Sequence, residues 1–329
     1  MWKFDVLWKT FLTCGTAVFI AALCDNVLHG IPISFSESAL KFAKARPEND
    51  VPLSLLPGAF IIGSISGLLG AFFLGVNFRL AKLRGAIITQ KWHRLIDAFL
   101  FAFLTASTYY WLPKIFSSCV PIKNELGQLR RIKTESIFDR AENIDVSIGW
   151  CADQADTYNP IATILWKTEG GLIRHFLDSD PLLTKTQLVV IGALWYFWTI
   201  TTYGVNVPSG LFLPGMIVGC ALGDLYNSVL ADNGWIGATE SANHRATYVI
   251  LGMGAMLAGY TRMTYSLVVI VMETSQNVNI FVPVVIAVGM SNFMGSLCNR
   301  SLYEKAVRAK QMPILIPAVP HCNRLIRAE

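Results

Sequence analysis

Residues 201–219 read TTYGVNVPSGLFLPGMIVG, a stretch set among apolar segments suited to a bilayer but broken by glycine and proline where a spanning helix is smooth. Irregular backbone at membrane depth is costly unless it lines a cavity or is buried in protein. Gly210 permits an unusual backbone angle. Pro214 fits the first turn of a helix, where its missing N–H costs little. A new helix is therefore predicted to begin at Leu211 and Phe212. Their N–H groups have no intrahelical acceptor and point outward at the positive end of the helix dipole. Such an end holds an anion without a basic side chain, which suits an anion that must also leave. Taken alone, the residues leave a second reading open, a plain Gly-Pro kink between two core helices.

The composition supplies the setting. The 329 residues are 53% hydrophobic and 15% charged, with a mean hydropathy of +0.47. Soluble domains carry about a quarter charged residues, so an all-α polytopic membrane protein is predicted. The net charge of +5 comes from basic residues gathered at segment ends. That is the habit of membrane proteins, and no nucleic-acid partner is expected. The seven cysteines form no CxxC motif and no Cys/His cluster, so neither zinc nor another metal is expected. Cys14, Cys24, Cys220 and Cys298 fall in apolar segments and read as small packing residues. Cys119 and Cys151 flank one long polar loop and are free to pair if it faces an oxidising lumen. No Ser/His/Asp set or phosphate loop stands out, so no enzyme and no cofactor is expected. His93, His175, His244 and His321 sit in polar or boundary contexts and read as solvated.

Along the chain, residues 4–28 form a helix candidate. Residues 55–84 are long enough to span with tilt. Gly63, Ser66, Gly67 and Gly70 lie there at spacings of three and four, which lets another helix approach closely. Arg79, Lys82, Arg84, Lys91 and Arg94 surround a short connection that the positive-inside rule places in the cytosol. Residues 95–113 cross back, with Asp97 near the interface at their start. The polar region 114–185 then lies on the lumenal or extracellular side. Apolar segments return at 188–204, 247–263, 264–275 and 281–298. Several fall short of the roughly 20 residues that cross a bilayer, as discontinuous transporter helices do. The organisation is thus a membrane helix in 1–28, membrane helices in 51–118, a lumenal loop region in 119–184, membrane helices with the broken stretch in 185–310, and a cytosolic tail in 311–329. Glu273 is given a structural hydrogen-bonding role near a helix end. Asp224 and Arg262 read as helix-end or interface charges rather than a proton path.

Four elements, in order, resemble the CLC family of chloride channels and chloride/proton exchangers. SGLFLPG (209–215) is similar to the family's GxFxP element, whose backbone amides meet chloride. RMTYSLVVIVMETSQN (262–277) resembles a late helix with an acid near its end. NRSLYEKAV (299–307) resembles the element that brings a tyrosine hydroxyl to the central chloride. QMPIL (311–315) resembles the exit toward the cytosol. FSSCVPI and WCADQADTYN are similar to the loop of the lysosomal and vacuolar branch.

The resemblance implies a CLC-like inverted-repeat fold that is incomplete, comprising the last helix of the first half and the whole second half. It implies that Leu211 and Phe212 offer N–H groups to the anion, that Gly210 and Pro214 shape the turn, and that Tyr303 donates its hydroxyl. Without the resemblance Tyr303 reads as an interfacial anchor. Chloride or another small anion is the implied ligand, with protons as a second cargo in exchangers. Membrane lipid surrounds the chain. A homodimer is implied for the parent protein, through the first segment and the segments around 265–272 and 284–297. An endosomal, lysosomal or vacuolar membrane fits better than the plasma membrane. The family's GSGIP-like and GxEGP elements, the second bearing the gating glutamate, do not occur here, and neither do tandem CBS domains. The expectation is a fragment of a voltage-gated-type chloride channel or chloride/proton antiporter. The alternative is a non-conducting subunit or assembly fragment that binds other membrane chains.

Overall fold

The computed structural model of the chain describes residues 13, 16 and 20, and residues 55–309 apart from 89, 117–118, 122–150, 152–156, 178–182, 206, 208, 236–237 and 276–278. It falls into two units, 1–41 and 42–329. In the first, Thr13, Thr16 and Ile20 are helical, and the Thr16 hydroxyl donates to the Thr13 carbonyl at 3.0 Å. The rest of the 4–28 helix candidate, with Cys14 and Cys24, lies outside the described residues. So does the 311–329 tail with His321.

The second unit is helical. Its elements are α1 (Leu55–Ile87), α2 (Lys91–Ile115), β1 (Val120–Pro121), β2 (Thr157–Tyr158), α3 (Pro160–Trp166), α4 (Glu169–Leu177), α5 (Lys185–Thr202), α6 (Phe212–Asp232), α7 (Ala238–Thr261), α8 (Tyr265–Ser275), α9 (Phe281–Cys298) and α10 (Leu302–Ala309). The two strands, two residues each, pair antiparallel. Among the described residues four helices are long and apolar enough to cross a membrane: α1, most of α2, α6, and the helical stretch that begins at Phe281. A helix of 33 residues like α1 is about 50 Å long at 1.5 Å per residue. It exceeds the hydrocarbon core and must tilt or project beyond it.

The core is built around α7. Residues 247–261 are buried on every side, as expected for a helix that is apolar all round. Helices α1, α6 and α9 pack against it. These helices approach through small residues. A Cβ added to Gly63 would stand 2.5 Å from the Ala287 carbonyl of α9, and one at Gly67 would stand 2.5 Å from that of Ser291. Gly70 faces the backbone of Gly259, and Gly219 of α6 faces that of Gly252 with no room for a side chain. The Ser291 hydroxyl donates to the Ala255 carbonyl at 2.5 Å, closing α9 onto α7.

Several sequence expectations need correction. Asp224 is no helix-end or interface charge. It lies inside α6 and is 3% exposed. Its carboxylate accepts two bonds from Arg245, with Nε to Oδ1 at 2.6 Å and Nη2 to Oδ2 at 2.9 Å. The partner was hidden because the apolar segment was read as starting at Thr247, whereas α7 begins at Ala238. His175 and His244 are buried rather than solvated, because both stand on helices where the sequence suggested polar surface. Cys220 is buried, but Cys298 is exposed at the end of α9.

The region 119–184 is also more than a loop. Cys119 and Cys151 form a disulfide with a Cα–Cα distance of 5.8 Å. Asn159 caps α3 by accepting from the Ile161 and Ala162 amides, at 3.0 and 3.2 Å. Its Nδ2 donates to the Pro113 carbonyl of α2 at 2.9 Å. Trp166 Nε1 donates to the Tyr109 carbonyl at 3.3 Å. These bonds bring α3 back onto α2, and residues 160–165 are buried.

Removing one member of a buried ion pair leaves the other uncompensated. Asp224→Ala is expected to cost about 3–5 kcal/mol, while Asp224→Leu with Arg245→Met recovers most of that loss. Thermal unfolding of the detergent-purified protein measures both.

Candidate functional site

The break between α5 and α6 starts with a buried amide. Asn77 of α1, 3% exposed, donates to the Ile200 carbonyl at 2.9 Å and to the Tyr203 carbonyl at 2.6 Å. It thereby covers carbonyls that the end of α5 leaves without intrahelical partners. Gly204 follows with φ of +107°, a conformation for which glycine is the natural choice. Tyr203 and Val205 form an isolated bridge. Helix α6 then starts at Phe212, with Leu211 as its N-cap at φ −113° and ψ −17° and no side chain capping it. The first bond across the turn runs from the Gly215 amide to the Leu211 carbonyl at 3.3 Å. Neither the Leu211 nor the Phe212 amide is placed to bond inside α6. Ser209, Gly210 and Phe212 are exposed and Leu211 is half-buried, so the turn opens onto a surface.

Pro214 stands in the first turn of α6, where a missing donor does no harm. Gly210 does not have the role expected of it. Its φ is not positive, and a Cβ there would meet nothing within 4 Å. The reversal that needs glycine is made at Gly204.

The residue that sequence reasoning missed is Tyr260, near the end of α7. It is 1% exposed, and its hydroxyl donates to the Leu211 carbonyl at 2.9 Å. A Cβ on Gly215 would collide with that hydroxyl. Its ring lies against Phe73, centroids 5.4 Å apart, and Phe73 in turn faces Tyr203 at 6.3 Å. Helix α10 packs against α7, and Lys305 of α10 stands over the Phe78 ring of α1 with Nζ 5.5 Å from its centroid. Tyr303, 51% exposed on the first turn of α10, therefore stands on a helix packed against the one that carries Tyr260. A tyrosine in an otherwise apolar stretch was the available signal, since a buried phenol needs a hydrogen-bond partner.

The electrostatics around this end are asymmetric. Arg262 ends α7 at φ 58°. Its Nε donates to the Gly259 carbonyl at 2.9 Å and its Nη2 to the Gly295 carbonyl at 2.5 Å, so one guanidinium covers the ends of α7 and α9. Asn299 Nδ2 donates to the Ala71 carbonyl at 2.8 Å, and Lys305 Nζ donates to Asn299 Oδ1 at 3.0 Å. The negative ends of α5, α7 and α9 are thus covered by donors, while the positive end of α6 has no side-chain cap. Such an arrangement can take a small anion on neutral donors. Glu273 is exposed on α8. Among the described residues no cluster of His, Cys, Asp and Glu is placed to hold a metal.

Helices interrupted near a shared site define a class of multi-pass membrane transporters. Residues 1–296 match the family model described as voltage gated chloride channel. The chain belongs to this CLC family. It is 29% identical over 328 residues to "Chloride channel protein C" of Dictyostelium discoideum, covering 99% of this chain and 41% of that protein. It is 24% identical over 317 residues to "H(+)/Cl(-) exchange transporter 7" of Mus musculus, covering 95% of this chain and 37% of that protein. The chain thus spans well under half the length of these relatives. A solved structure titled as a slow cyanobacterial Cl-/H+ antiporter shares the fold, with a TM-score of 0.54 at 13% identity over 84% of this chain and 51% of that one.

Two glycine substitutions separate the roles in the turn. Gly204→Ala forces a side chain into a conformation it rarely adopts and is expected to cost about 1–3 kcal/mol. Gly210→Ala is expected to change stability by less than about 0.5 kcal/mol. Paired thermal unfolding curves provide the comparison.

Proposed function

We propose that this chain takes part in chloride transport, supplying the α6 turn and the α10 tyrosine of an anion site. What supports the reading is the uncapped start of α6, whose Leu211 carbonyl is held by the buried Tyr260 phenol, together with the packing of α10, which carries Tyr303, against α7. The donors are two backbone N–H groups and one neutral hydroxyl. They replace part of an anion's hydration without the full positive charge that would trap it.

The relatives are more than twice as long as this chain. The remaining donors, and a gating glutamate of the GxEGP kind, belong in this reading to further protein assembled with it. The resemblance to the lysosomal and vacuolar branch, and the presence of an exchange transporter among the relatives, favour chloride/proton exchange in an endomembrane over a plasma-membrane channel. The Cys119–Cys151 bond fits a loop on the oxidising side of such a membrane. A homodimer is part of the same reading.

The test is flux. The protein is tagged in its own cell, purified with the chains that stay bound, and reconstituted in liposomes. Chloride efflux read with an ion-selective electrode is expected, and accompanying proton movement identifies exchange. Absence of chloride flux overturns the reading in favour of a non-conducting subunit. In the same assembly Tyr303→Phe removes one donor and is expected to weaken chloride affinity by roughly 0.5–1.5 kcal/mol, measured by titration calorimetry.

A further inference from the structure

Tyr260 is the buried polar group that the anion-site residues themselves do not account for. Its position in α7 is sealed from solvent, where an apolar residue would avoid the cost of burying a hydroxyl. The hydroxyl instead crosses to α6 and donates to the carbonyl of Leu211, the N-cap residue, at 2.9 Å. That carbonyl is the same group that accepts the first helical bond, from the Gly215 amide at 3.3 Å. The Leu211–Phe212 peptide shares one plane between the Leu211 carbonyl and the Phe212 N–H. Whatever fixes the carbonyl therefore fixes the direction of the amide. The absence of a side chain at Gly215 leaves room for the phenol to reach this carbonyl. The Phe73 ring packs against that of Tyr260, centroids 5.4 Å apart.

We propose that Tyr260 is a positioning residue of the anion site, aiming the Phe212 amide by holding the Leu211 carbonyl; the inference rests on the anion-site reading given above. The phenol acts through the peptide plane and does not touch the ion. It carries a consequence for selectivity. Backbone amides in a fixed direction discriminate between a spherical ion and a planar one, whereas a loosened peptide follows either. Chloride and nitrate are the natural pair of probes.

The experiment uses the assembly purified with its bound chains. Chloride and nitrate affinities are measured by titration calorimetry for wild type, Tyr260→Phe and Tyr303→Phe, with thermal unfolding recorded for each. Tyr260→Phe is expected to weaken chloride binding by up to about tenfold, the limit set by losing one amide donor to the ion when its peptide is no longer held, and to bring the nitrate affinity closer to that of chloride. A change in melting temperature with both affinities intact marks a purely structural phenol and overturns the inference. So does Tyr260→Phe binding both anions as wild type does while Tyr303→Phe weakens chloride, an outcome that leaves the anion site standing. Loss of chloride binding by the wild-type assembly overturns the site and this inference together. If Tyr260→Phe does not fold, Gly215→Ala supplies the same test, because its methyl group displaces the hydroxyl from the carbonyl. An unchanged ratio of chloride to nitrate affinity in that variant overturns the inference.

Discussion

Interrupting a helix inside a membrane leaves carbonyls at one end and amides at the other, and lipid satisfies neither. The structure treats the two kinds of end differently. Carbonyls at the end of α5 receive the Asn77 amide, and those at the ends of α7 and α9 receive the Arg262 guanidinium. The carbonyl at the start of α6 receives the Tyr260 phenol. The amides at the start of α6 have no side-chain cap and face an exposed turn. Polar satisfaction is therefore directional, with acceptors closed and donors open. This difference adds to the partial positive charge at the start of α6.

That arrangement depends on close backbone approach. Tyr260 reaches Leu211 because α7 lies deep between α1, α6 and α9, and it lies there because glycines remove the side chains that would hold the helices apart. Gly70 meets Gly259 one residue before Tyr260, and Gly215 clears the space the phenol fills. The same small residues that drive membrane helices together thus place the side-chain hydrogen bond that reaches the turn from α7. Packing and site are one construction.

Much of this could be read in the sequence. The Gly/Pro pattern located the start of α6 at Phe212, and the spacing of Gly63, Gly67 and Gly70 marked the close face of α1. What failed has a common cause. The Asp224–Arg245 pair, the burial of His175 and His244, and the fold of residues 160–177 all depend on partners that local polarity cannot reveal. Arg245 and His244 sit in a polar stretch, SANHRAT, that looks like surface. It becomes interior because α7 extends through it. Gly210 was assigned the unusual backbone because it neighbours the helix start, whereas the reversal occurs six residues earlier, at Gly204, where Asn77 ends α5. A glycine's identity shows what conformation is permitted, and only the surrounding hydrogen bonds decide which glycine uses it. Tyr260 was legible in principle as a phenol in an apolar run, but its acceptor lies 49 positions away.

The buried ion pair completes the electrostatic argument. Asp224 is twelve residues beyond Phe212, about 18 Å along α6 at 1.5 Å per residue. An unpaired Arg245 at that depth would be a strong attractor for an anion in a low-dielectric interior and would compete with the turn. Bidentate pairing with Asp224 neutralises it in place, with both side chains nearly sealed from solvent. Arg262 donates to carbonyls and Lys305 to the Asn299 amide oxygen, neutral acceptors that direct these cations and leave their charge in place. At the α6 turn the amides add the partial positive charge of a helix start to that field.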